Sequence, residues 1–363
     1  TFKELGLEVS IAVAYSISPR HTDELFAEKV RAATAFKPDA IYLKDQGGLL
    51  TVDRIRTLIP VFQENCEGIP LEIHGHCTTG LAPLVYMEAL ELGIPTLHTG
   101  LPPLAESSGQ PSVLDTAKNA RLMGYSHGLD EELLARAAAR LTTCAHQDNM
   151  AVGETTKYDY GQYIHQIPGG VISNLRFQLA EINLDHRLDE VIEESVLIRK
   201  ELGYPIMITP YSQFMCTQAA INVATGERYK VVMDELIRFA QGAYGEDSGE
   251  PWMDQDLKDK FLSLPRAKEL AAFAERPIED ISVKEVRQKM GAPDIPDEEL
   301  LNRVIMRGEQ ALQEMRAAGP PRQYYSAAMP MVSLLNEMSK HSGLGYIQVQ
   351  RGTDSVVIEN RSA

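Results

Sequence analysis

Residues 39–50 have the sequence DAIYLKDQGGLL, and this stretch decides how the chain folds. The apolar run at 39–43 predicts a β-strand, and a helical pattern follows at 51–64. Between them, Gly47 and Gly48 permit a tight turn because glycine tolerates backbone angles that other residues avoid. The stretch therefore predicts a strand that is followed directly by a helix.

The same unit of strand and helix recurs on both sides of this stretch. A helix between successive strands implies that the strands pair in parallel. Strands that are almost continuously apolar are typical of sheets covered by helices or closed into a barrel. The sequence thus predicts an α/β fold with a parallel sheet. The further units are a strand at 8–15 with a helix at 22–35, a strand at 70–73 with a helix at 81–92, and a short strand at 94–98.

From about residue 100 onward the pattern is mainly helical. Helices are predicted at 114–122, 130–149, 175–180, 188–202, 217–225, 229–243, 256–273 and 325–341. After the last helix, two alternating stretches within 345–359 flank the sequence Arg-Gly-Thr-Asp at 351–354. This arrangement predicts a β-hairpin near the end of the chain.

The composition excludes several classes of protein. The chain has 363 residues, of which 44% are hydrophobic and 24% charged, as in ordinary globular proteins. Its formal charge of −16 argues against a broad surface for nucleic acid or anionic membranes. No apolar run approaches the roughly 18 to 20 residues of a membrane span. Four scattered cysteines without a CxxC pair, together with no visible signal peptide, predict a cytoplasmic protein.

His74 and His76 stand at the end of the strand predicted at 70–73, separated by one glycine. Side chains two positions apart in a strand point to the same face, so both imidazoles can converge on one ion. Two histidines at this spacing are common in divalent-metal sites. Two histidines that are merely hydrogen-bonded at a strand end would look the same, and both interpretations remain open at this point.

Lys44 ends the strand predicted at 39–43, in the same relative place as the two histidines. At the carboxyl end of a barrel strand, a lysine could form a Schiff base, bind an anion, or carry CO₂ as a carbamate. It could also simply extend its charge into solvent. The glycine-containing segments at 46–48 and 78–80 match neither common nucleotide-binding motif, so nucleotide binding is not supported.

Four motifs occur in an order that resembles a known family. They are IYLKDQGGLL at 41–50, LEIHGHCTTG at 71–80, the segment 163–178 with His165 and PGG at 168–170, and ITPYSQ at 208–213 with GERYK at 226–230. Together they resemble the carboxyltransferase domains of biotin-dependent pyruvate carboxylase, transcarboxylase and oxaloacetate decarboxylase. The motifs from 208 onward look closest to the α subunit of oxaloacetate decarboxylase.

The resemblance implies a TIM barrel whose divalent metal, Zn, Mn or Co, is held by two histidines and a carbamylated lysine. In this chain those residues are His74, His76 and Lys44. The family's threonine, which moves a proton between biotin and the keto acid, falls on Thr209. A hydroxyl suits that role because it both donates and accepts a hydrogen bond. Without the resemblance, Thr209 would be interpreted as a turn residue before Pro210.

The resemblance covers only four of the family's eight barrel strands, and four strands cannot close a barrel. The sequence therefore predicts the C-terminal half of a (β/α)₈ barrel at 1–115, a helical extension that contributes to the active site at 116–335, and a terminal segment with a β-hairpin at 336–363. The other barrel half would come from a missing part of the polypeptide or from a partner in an oligomer or complex.

Biotin is expected to arrive on a separate carrier protein or domain. The segment AMPM at 328–331 looks like a biotin attachment sequence but has Pro330 in place of the acceptor lysine. The function implied by the resemblance is movement of CO₂ between carboxybiotin and a 2-oxo acid such as oxaloacetate or pyruvate. Two alternatives are a metal-dependent aldol or Claisen-type lyase of the same barrel type, and a non-catalytic assembly subunit.

Overall fold

The computed structural model describes residues 2–245, 248–274, 282–305, 309–319, 335, 338, 345–351 and 354–359. Within these residues the chain forms a four-stranded sheet, a two-stranded sheet and fifteen α-helices. No helix in the described ranges combines the length and the apolar character that a membrane crossing requires.

The four-stranded sheet is parallel throughout, which confirms the predicted α/β class. Its strands lie in the order in which they occur along the chain. The register aligns Lys44 with Ala14 on one side and with His74 on the other. The strands are β1 (Ser10–Ala14), β2 (Ala40–Asp45), β3 (Leu71–Gly75) and β4 (Thr96–Leu97).

Three helices between the strands cover one face of this sheet. They are α1 (Asp23–Thr34), α2 (Val52–Asn65) and α3 (Ala82–Glu91). The hydroxyls of Thr22 and Thr51 accept hydrogen bonds from backbone N–H groups in the first turns of α1 and α2, so both helices begin where a side chain can cap them. Ile41, Leu43 and Ile73 are buried against these helices.

The remaining helices follow β4. They are α4 (Val113–Leu122), α5 (Glu131–Gln147), α6 (Gly161–His165), α7 (Gly169–Glu181), α8 (Leu188–Glu201), α9 (Tyr211–Thr225), α10 (Asp234–Ala240), α11 (Gln255–Ser263), α12 (Pro265–Ala274), α13 (Val283–Lys289), α14 (Asp297–Ile305) and α15 (Glu309–Ala317). A second hydrophobic core lies among helices α7 to α11, and its buried residues run in sequence from Ile167 to Phe261. The predicted hairpin is present as β5 (Tyr346–Arg351) and β6 (Asp354–Glu359), which pair antiparallel.

The second core is tied to the sheet at the loop after β1. Arg199 is buried, and its guanidinium donates to the hydroxyl of Ser16 at 2.9 Å and to the carbonyl of Ile17 at 3.3 Å. The side-chain carbonyl of Gln166 accepts from the Ser16 hydroxyl and from the Ile17 N–H, both at 3.1 Å. These contacts fix the helical region against the end of β1.

Four helix predictions were wrong in their extent. The helices predicted at 175–180 and 217–225 are longer than predicted, at Gly169–Glu181 and Tyr211–Thr225. The helix predicted at 229–243 is present only at Asp234–Ala240. Side chains replace the missing helical hydrogen bonds, because Asn222 accepts from the Tyr229 N–H and Gln218 binds both the Val231 carbonyl and the Met233 N–H. The helix predicted at 256–273 is divided into α11 and α12 at Pro265, which has no N–H to continue the first helix.

The helix predicted at 325–341 and the segment 328–331 lie outside the described residues, apart from positions 335 and 338. The division into segments 1–115, 116–335 and 336–363 stays a prediction.

Candidate functional site

Three of the residues singled out from the sequence meet at the carboxyl end of the parallel sheet. Lys44 and His74 are register partners on neighbouring strands, and His76 follows β3 on the same side. All three side chains are half-buried and belong to the sheet face opposite α1 to α3. Lys44, His74 and His76 therefore lie on one face at this edge of the sheet.

The two histidines face each other through their Nε2 atoms, which are 3.2 Å apart. The Nδ1 atom of His76 lies 2.5 Å from the carbonyl oxygen of Ser108. A carbonyl only accepts, so His76 must carry its proton on Nδ1 and present a lone pair at Nε2. The Nε2 atom of His76 is thereby oriented as a ligand.

The other ring nitrogen of His74 contacts a third histidine. His74 Nδ1 lies 3.2 Å from His98 Nδ1, and His98 Nε2 lies 3.0 Å from a carboxylate oxygen of Glu72. His76 and His98 therefore sit on opposite sides of the His74 ring. In the described part of the chain, no three His, Cys, Asp or Glu side chains converge in a way that could hold a metal.

Both facing imidazoles are poised to be neutral. Burial, together with smaller contributions from the neighbouring charges of His76, His98 and Lys44, lowers the pKa of His74 to about 4. Burial also lowers the pKa of His76, and the Lys44 charge acts in the same direction. A metal ligand must be unprotonated, and these two rings meet that condition at neutral pH.

The distance between the two Nε2 atoms fits a shared metal ion. Two nitrogens that each lie about 2.1 Å from one ion are separated by roughly 3 to 3.4 Å in octahedral or tetrahedral geometry, and the observed separation is 3.2 Å. The side-chain amide nitrogen of Gln110 lies 3.4 Å from His74 Nε2 and 3.2 Å from His76 Nε2. Two of the expected ligands thus have a suitable arrangement.

The turn after β2 supports this edge of the sheet. Asp45 is buried and accepts hydrogen bonds from the N–H groups of Leu49 and Leu50 at 2.8 and 2.7 Å. Burial raises the pKa of Asp45 to about 6, although these N–H groups oppose the rise. Gly48 has φ of +63°, and a Cβ atom there would lie 2.5 Å from the His76 carbonyl oxygen. The backbone of this turn therefore packs closely against the backbone of His76, and a glycine is needed at position 48.

Cys77 directly follows the two histidines but has the character of a packing residue. It is fully buried, and burial together with the carboxylate of Glu106 raises the pKa of its thiol far above the ordinary range. It therefore remains a thiol. His165, from the motif at 163–178, accepts a hydrogen bond from the Ile167 N–H through Nδ1 at 3.0 Å, which orders the turn before α7.

Thr209 is exposed on the segment that leads into α9, and its hydroxyl makes no hydrogen bond to any described residue. The segment is held near the sheet because Arg199 also donates to the Pro205 carbonyl at 3.0 Å and because Ile206 lines a cavity with residues of β1. No contact among the described residues joins Thr209 to Lys44 or to the histidines. The structure thus brings together Lys44, His74 and His76, with Thr209 on a neighbouring segment.

Sequence reasoning missed Glu72, His98 and Gln110. His98 did carry a signal, because it ends the strand predicted at 94–98 and therefore stands at the same edge as His74. Gln110 lies on a loop, and its position depends on contacts that no local pattern encodes.

Comparison with known proteins identifies the family. Residues 163–319 match the family described as the conserved carboxylase domain. A pyruvate carboxylase subunit from Methanocaldococcus jannaschii is 30% identical over an alignment of 335 positions, and the match covers 84% of this chain and 58% of that protein. The large subunit of 2-oxoglutarate carboxylase from Hydrogenobacter thermophilus is 31% identical over 72% of this chain and 40% of its own length.

A solved structure shares the fold. The carboxyl transferase domain of Rhizobium etli pyruvate carboxylase aligns with a TM-score of 0.73 and 18% identity, covering 99% of this chain and 62% of that domain's chain. The present chain thus spans about half the length of the curated relatives it matches. The narrower likeness to the oxaloacetate decarboxylase α subunit stays a prediction. Residues 163–319 thus belong to the family described as the conserved carboxylase domain, and the chain over most of its length is similar to carboxylase subunits such as that of Methanocaldococcus jannaschii.

Proposed function

We propose that this chain is the carboxyltransferase component of a biotin-dependent enzyme and moves CO₂ between carboxybiotin and a 2-oxo acid. The observation that carries the proposal is the pair of neutral imidazoles, His74 and His76, whose Nε2 atoms converge beside Lys44 in a chain that is similar to carboxylase subunits. Two relatives are named for pyruvate and 2-oxoglutarate, which are both 2-oxo acids. The substrate class follows from what these names share.

In this proposal, His74 and His76 hold a divalent ion, Zn, Mn or Co. A bound ion would polarise the keto-acid carbonyl and favour negative charge on its oxygen. Gln110, whose amide nitrogen lies within 3.4 Å of both Nε2 atoms, would remain beside the ion or the substrate as a hydrogen-bond donor.

Lys44 would complete the ligand set after its amine has reacted with CO₂ and lost a proton to become a carbamate. The reaction needs a neutral amine, and a nearby cation or a poorly solvated position favours that form. Lys44 is half-buried, and its register partner is His74. The carbamate would turn a positive side chain into an oxygen donor beside two neutral nitrogens.

Thr209 would move the proton that the carbon of the 2-oxo acid loses when CO₂ is added, and would pass it to the biotin that has released the CO₂. Its hydroxyl is suited to this because it can donate one proton while it accepts another. The hydroxyl is exposed and is not engaged by any described residue, so it is available to a bound molecule.

We further propose that the four-stranded sheet is one half of an eight-stranded barrel. Support comes from both edges of the sheet, where apolar cavities of about 330 and 320 Å³ lie beside β1 and β4. Support also comes from the half-exposed face that carries Tyr42, Lys44, Glu72 and His74, which would become the barrel interior. The other strands would come from another segment of the polypeptide or from a partner, and biotin from a carrier protein or domain.

The relatives favour this function over an aldol or Claisen-type lyase, since the matched proteins are named carboxylases. A non-catalytic assembly subunit is distinguished by experiment. Metal content of the purified chain, measured after loading with Co²⁺ and dialysis, should fall to background in a His74→Ala, His76→Ala double variant. Equal metal in the wild type and the double variant would contradict the proposed centre.

Thr209 is tested in the assembled enzyme with a carboxybiotin donor. Thr209→Ala should reduce carboxyl transfer by at least two orders of magnitude, on the general scale of proton-transfer catalysis, while Thr209→Ser retains part of the activity because the hydroxyl is kept. The matched control is Thr143→Ala, which removes an exposed hydroxyl bonded only to its own helix on α5. An active Thr209→Ala enzyme would remove Thr209 from the mechanism.

A further inference from the structure

We propose that Glu72 and His98 set the tautomer of His74, so that its Nε2 atom is always the unprotonated one. This inference rests on the proposed metal site, because it assigns two residues that orient a ligand without touching the ion. Both are positioning residues: Glu72 lies within the motif at 71–80 but has no assigned role there, and His98 lies outside the four motifs.

The direction of the hydrogen bonds follows from the chemistry of the first acceptor. An ionised carboxylate can only accept, so Glu72 takes the Nε2–H of His98 across 3.0 Å. His98 then has a lone pair on Nδ1, which accepts the Nδ1–H of His74 across 3.2 Å. The only lone pair left on the neutral His74 ring is on Nε2, on the side that faces His76.

The tautomer of His76 is fixed in the same way, by an acceptor on the other side of the site. Its Nδ1–H donates to the Ser108 carbonyl at 2.5 Å, so its lone pair is also on Nε2. Each series of hydrogen bonds therefore ends at a group that can only accept, the Glu72 carboxylate in one and the Ser108 carbonyl in the other. As a result, the Nε2 lone pairs of His74 and His76 face each other across 3.2 Å. Such a pair is stabilised by a cation or by a donor between the two atoms, and it is unfavourable when left alone.

The surroundings hold His98 in this orientation. The Tyr42 ring lies 5.3 Å from the His98 ring, and the hydroxyl of Tyr86 donates to the His98 carbonyl at 2.6 Å. Glu72 and His98 keep only 18% and 32% of their side-chain surface exposed. Because His98 contacts Nδ1 of His74 and His76 contacts Nε2, His98 cannot join the same ion as a third ligand.

The first measurement reads the tautomer directly in the full chain without added metal. Long-range ¹H–¹⁵N spectra of the histidine rings, assigned with a His74→Ala variant, should show His74 protonated on Nδ1. In His98→Phe the ring contact to Tyr42 is kept but the acceptor is lost, so the proton should move to Nε2. Glu72→Gln, which removes the charge and keeps the shape, should give a mixture of both tautomers.

The second measurement is the dissociation constant for Co²⁺, read from its visible absorption spectrum. His98→Phe should weaken binding about 10- to 100-fold, as expected for loss of the partner that orients a metal ligand, and Glu72→Gln should weaken it less. The matched control is His127→Phe, which removes another histidine, with 22% of its side-chain surface exposed, that lies 3.3 Å from a glutamate, Glu131. The control should leave Co²⁺ affinity unchanged.

The outcomes separate this inference from the proposed function. A His74 proton on Nε2 in the wild type, or an unchanged His74 tautomer in both Glu72→Gln and His98→Phe, would overturn the inference. Unchanged Co²⁺ affinity in both variants would overturn it as well. A wild type with the expected tautomer and no Co²⁺ binding would support the tautomer assignment and contradict the metal site.

Discussion

The two faces of the parallel sheet differ in character, although alternate residues of the same strands supply both. Ile41, Leu43 and Ile73 have at most 1% of their surface exposed and pack against α1 to α3. Lys44 and His74, their neighbours along the strands, lie half-buried on the opposite face. Successive side chains of a strand point to opposite faces, so one short strand supplies both core and chemistry.

This difference separates stability from activity at the level of single residues. The packed face depends on volume, because a removed methyl group leaves a cavity. The open face depends on where nitrogens and oxygens point, and its side chains keep some contact with water. Substitutions on neighbouring residues should therefore have opposite consequences, which makes the comparison testable.

The largest expected effect on stability is on the packed face. Ile73→Ala should lower the free energy of unfolding by about 2 to 5 kcal/mol, the usual range for truncating a buried aliphatic side chain. His74→Ala, at the next residue, should change it by less than about 1 kcal/mol, since a half-buried side chain loses less packing. Urea denaturation of both variants, followed by circular dichroism, measures the two values.

Metal binding should show the reverse order for the same two variants. His74→Ala should lose Co²⁺ binding, whereas Ile73→Ala should keep it under conditions in which the variant is folded. If His74→Ala destabilises the protein as much as Ile73→Ala does, the open face is part of the core and the comparison is wrong.

Alternation made most of the sheet predictable from the sequence. The strands at 39–43 and 70–73 were located because apolar residues cluster there, and each lies within or beside the observed strand. The strand predicted at 94–98 is only two residues long, Thr96–Leu97, because β4 pairs on one side only in the described residues. Local pattern thus identifies a strand, but its length depends on its neighbours.

The site was predictable only where its residues end the predicted strands. Lys44 and His74 could be found because each ends a strand, and parallel strand ends meet. Glu72 and His98 could not be paired from the sequence, since the hydrogen bond between them depends on the register of β3 and β4. The extent of α10 was missed because side chains of α9 bind the backbone just before it. Asn222 accepts from the Tyr229 N–H and Gln218 accepts from the Met233 N–H, so Tyr229 and Met233 do not join the helix.

A smaller effect on stability is expected at Tyr86, which connects the packed face to the residues of the open face. The buried hydroxyl of Tyr86 accepts from the Gly75 N–H at 2.8 Å and donates to the His98 carbonyl at 2.6 Å. Tyr86→Phe should cost about 1 to 3 kcal/mol, because it leaves a buried N–H without a partner. Since Gly75 links His74 and His76, Co²⁺ affinity should also fall modestly.

Urea denaturation of Tyr86→Phe measures its stability, and Co²⁺ titration measures its metal affinity. Together they test whether the packed face influences the open face. A loss of stability with unchanged affinity would mean that the packed face does not influence the ligand geometry. Tyr125→Phe is the matched control, because its hydroxyl donates to the Leu90 carbonyl in an exposed position.

The smallest expected effect concerns a titratable residue that contacts the packed face. His21 contacts the buried Phe26 ring, with 6.3 Å between ring centroids, and its Nδ1 atom lies 2.6 Å from the Ser18 hydroxyl. Burial, together with the nearby charges of Arg199 and Arg20, lowers the pKa of His21 to about 4. The packed face is therefore not wholly apolar, and this exception should be visible as a pH dependence.

The sign of that dependence follows from proton binding. Between about pH 6.5 and pH 4 the unfolded chain protonates His21 and the folded chain does not, so acidification favours unfolding. The stabilising contribution is complete above about pH 6.5 and is lost as the pH falls toward 4. His21→Gln cannot titrate, so its stability should fall less steeply than that of the wild type over this range, and the gap between the two proteins should narrow on acidification. Urea denaturation at pH 7.5, 6 and 5 measures both slopes. All other ionisable groups are common to the two proteins, so equal slopes would show that His21 is not buried as a neutral ring.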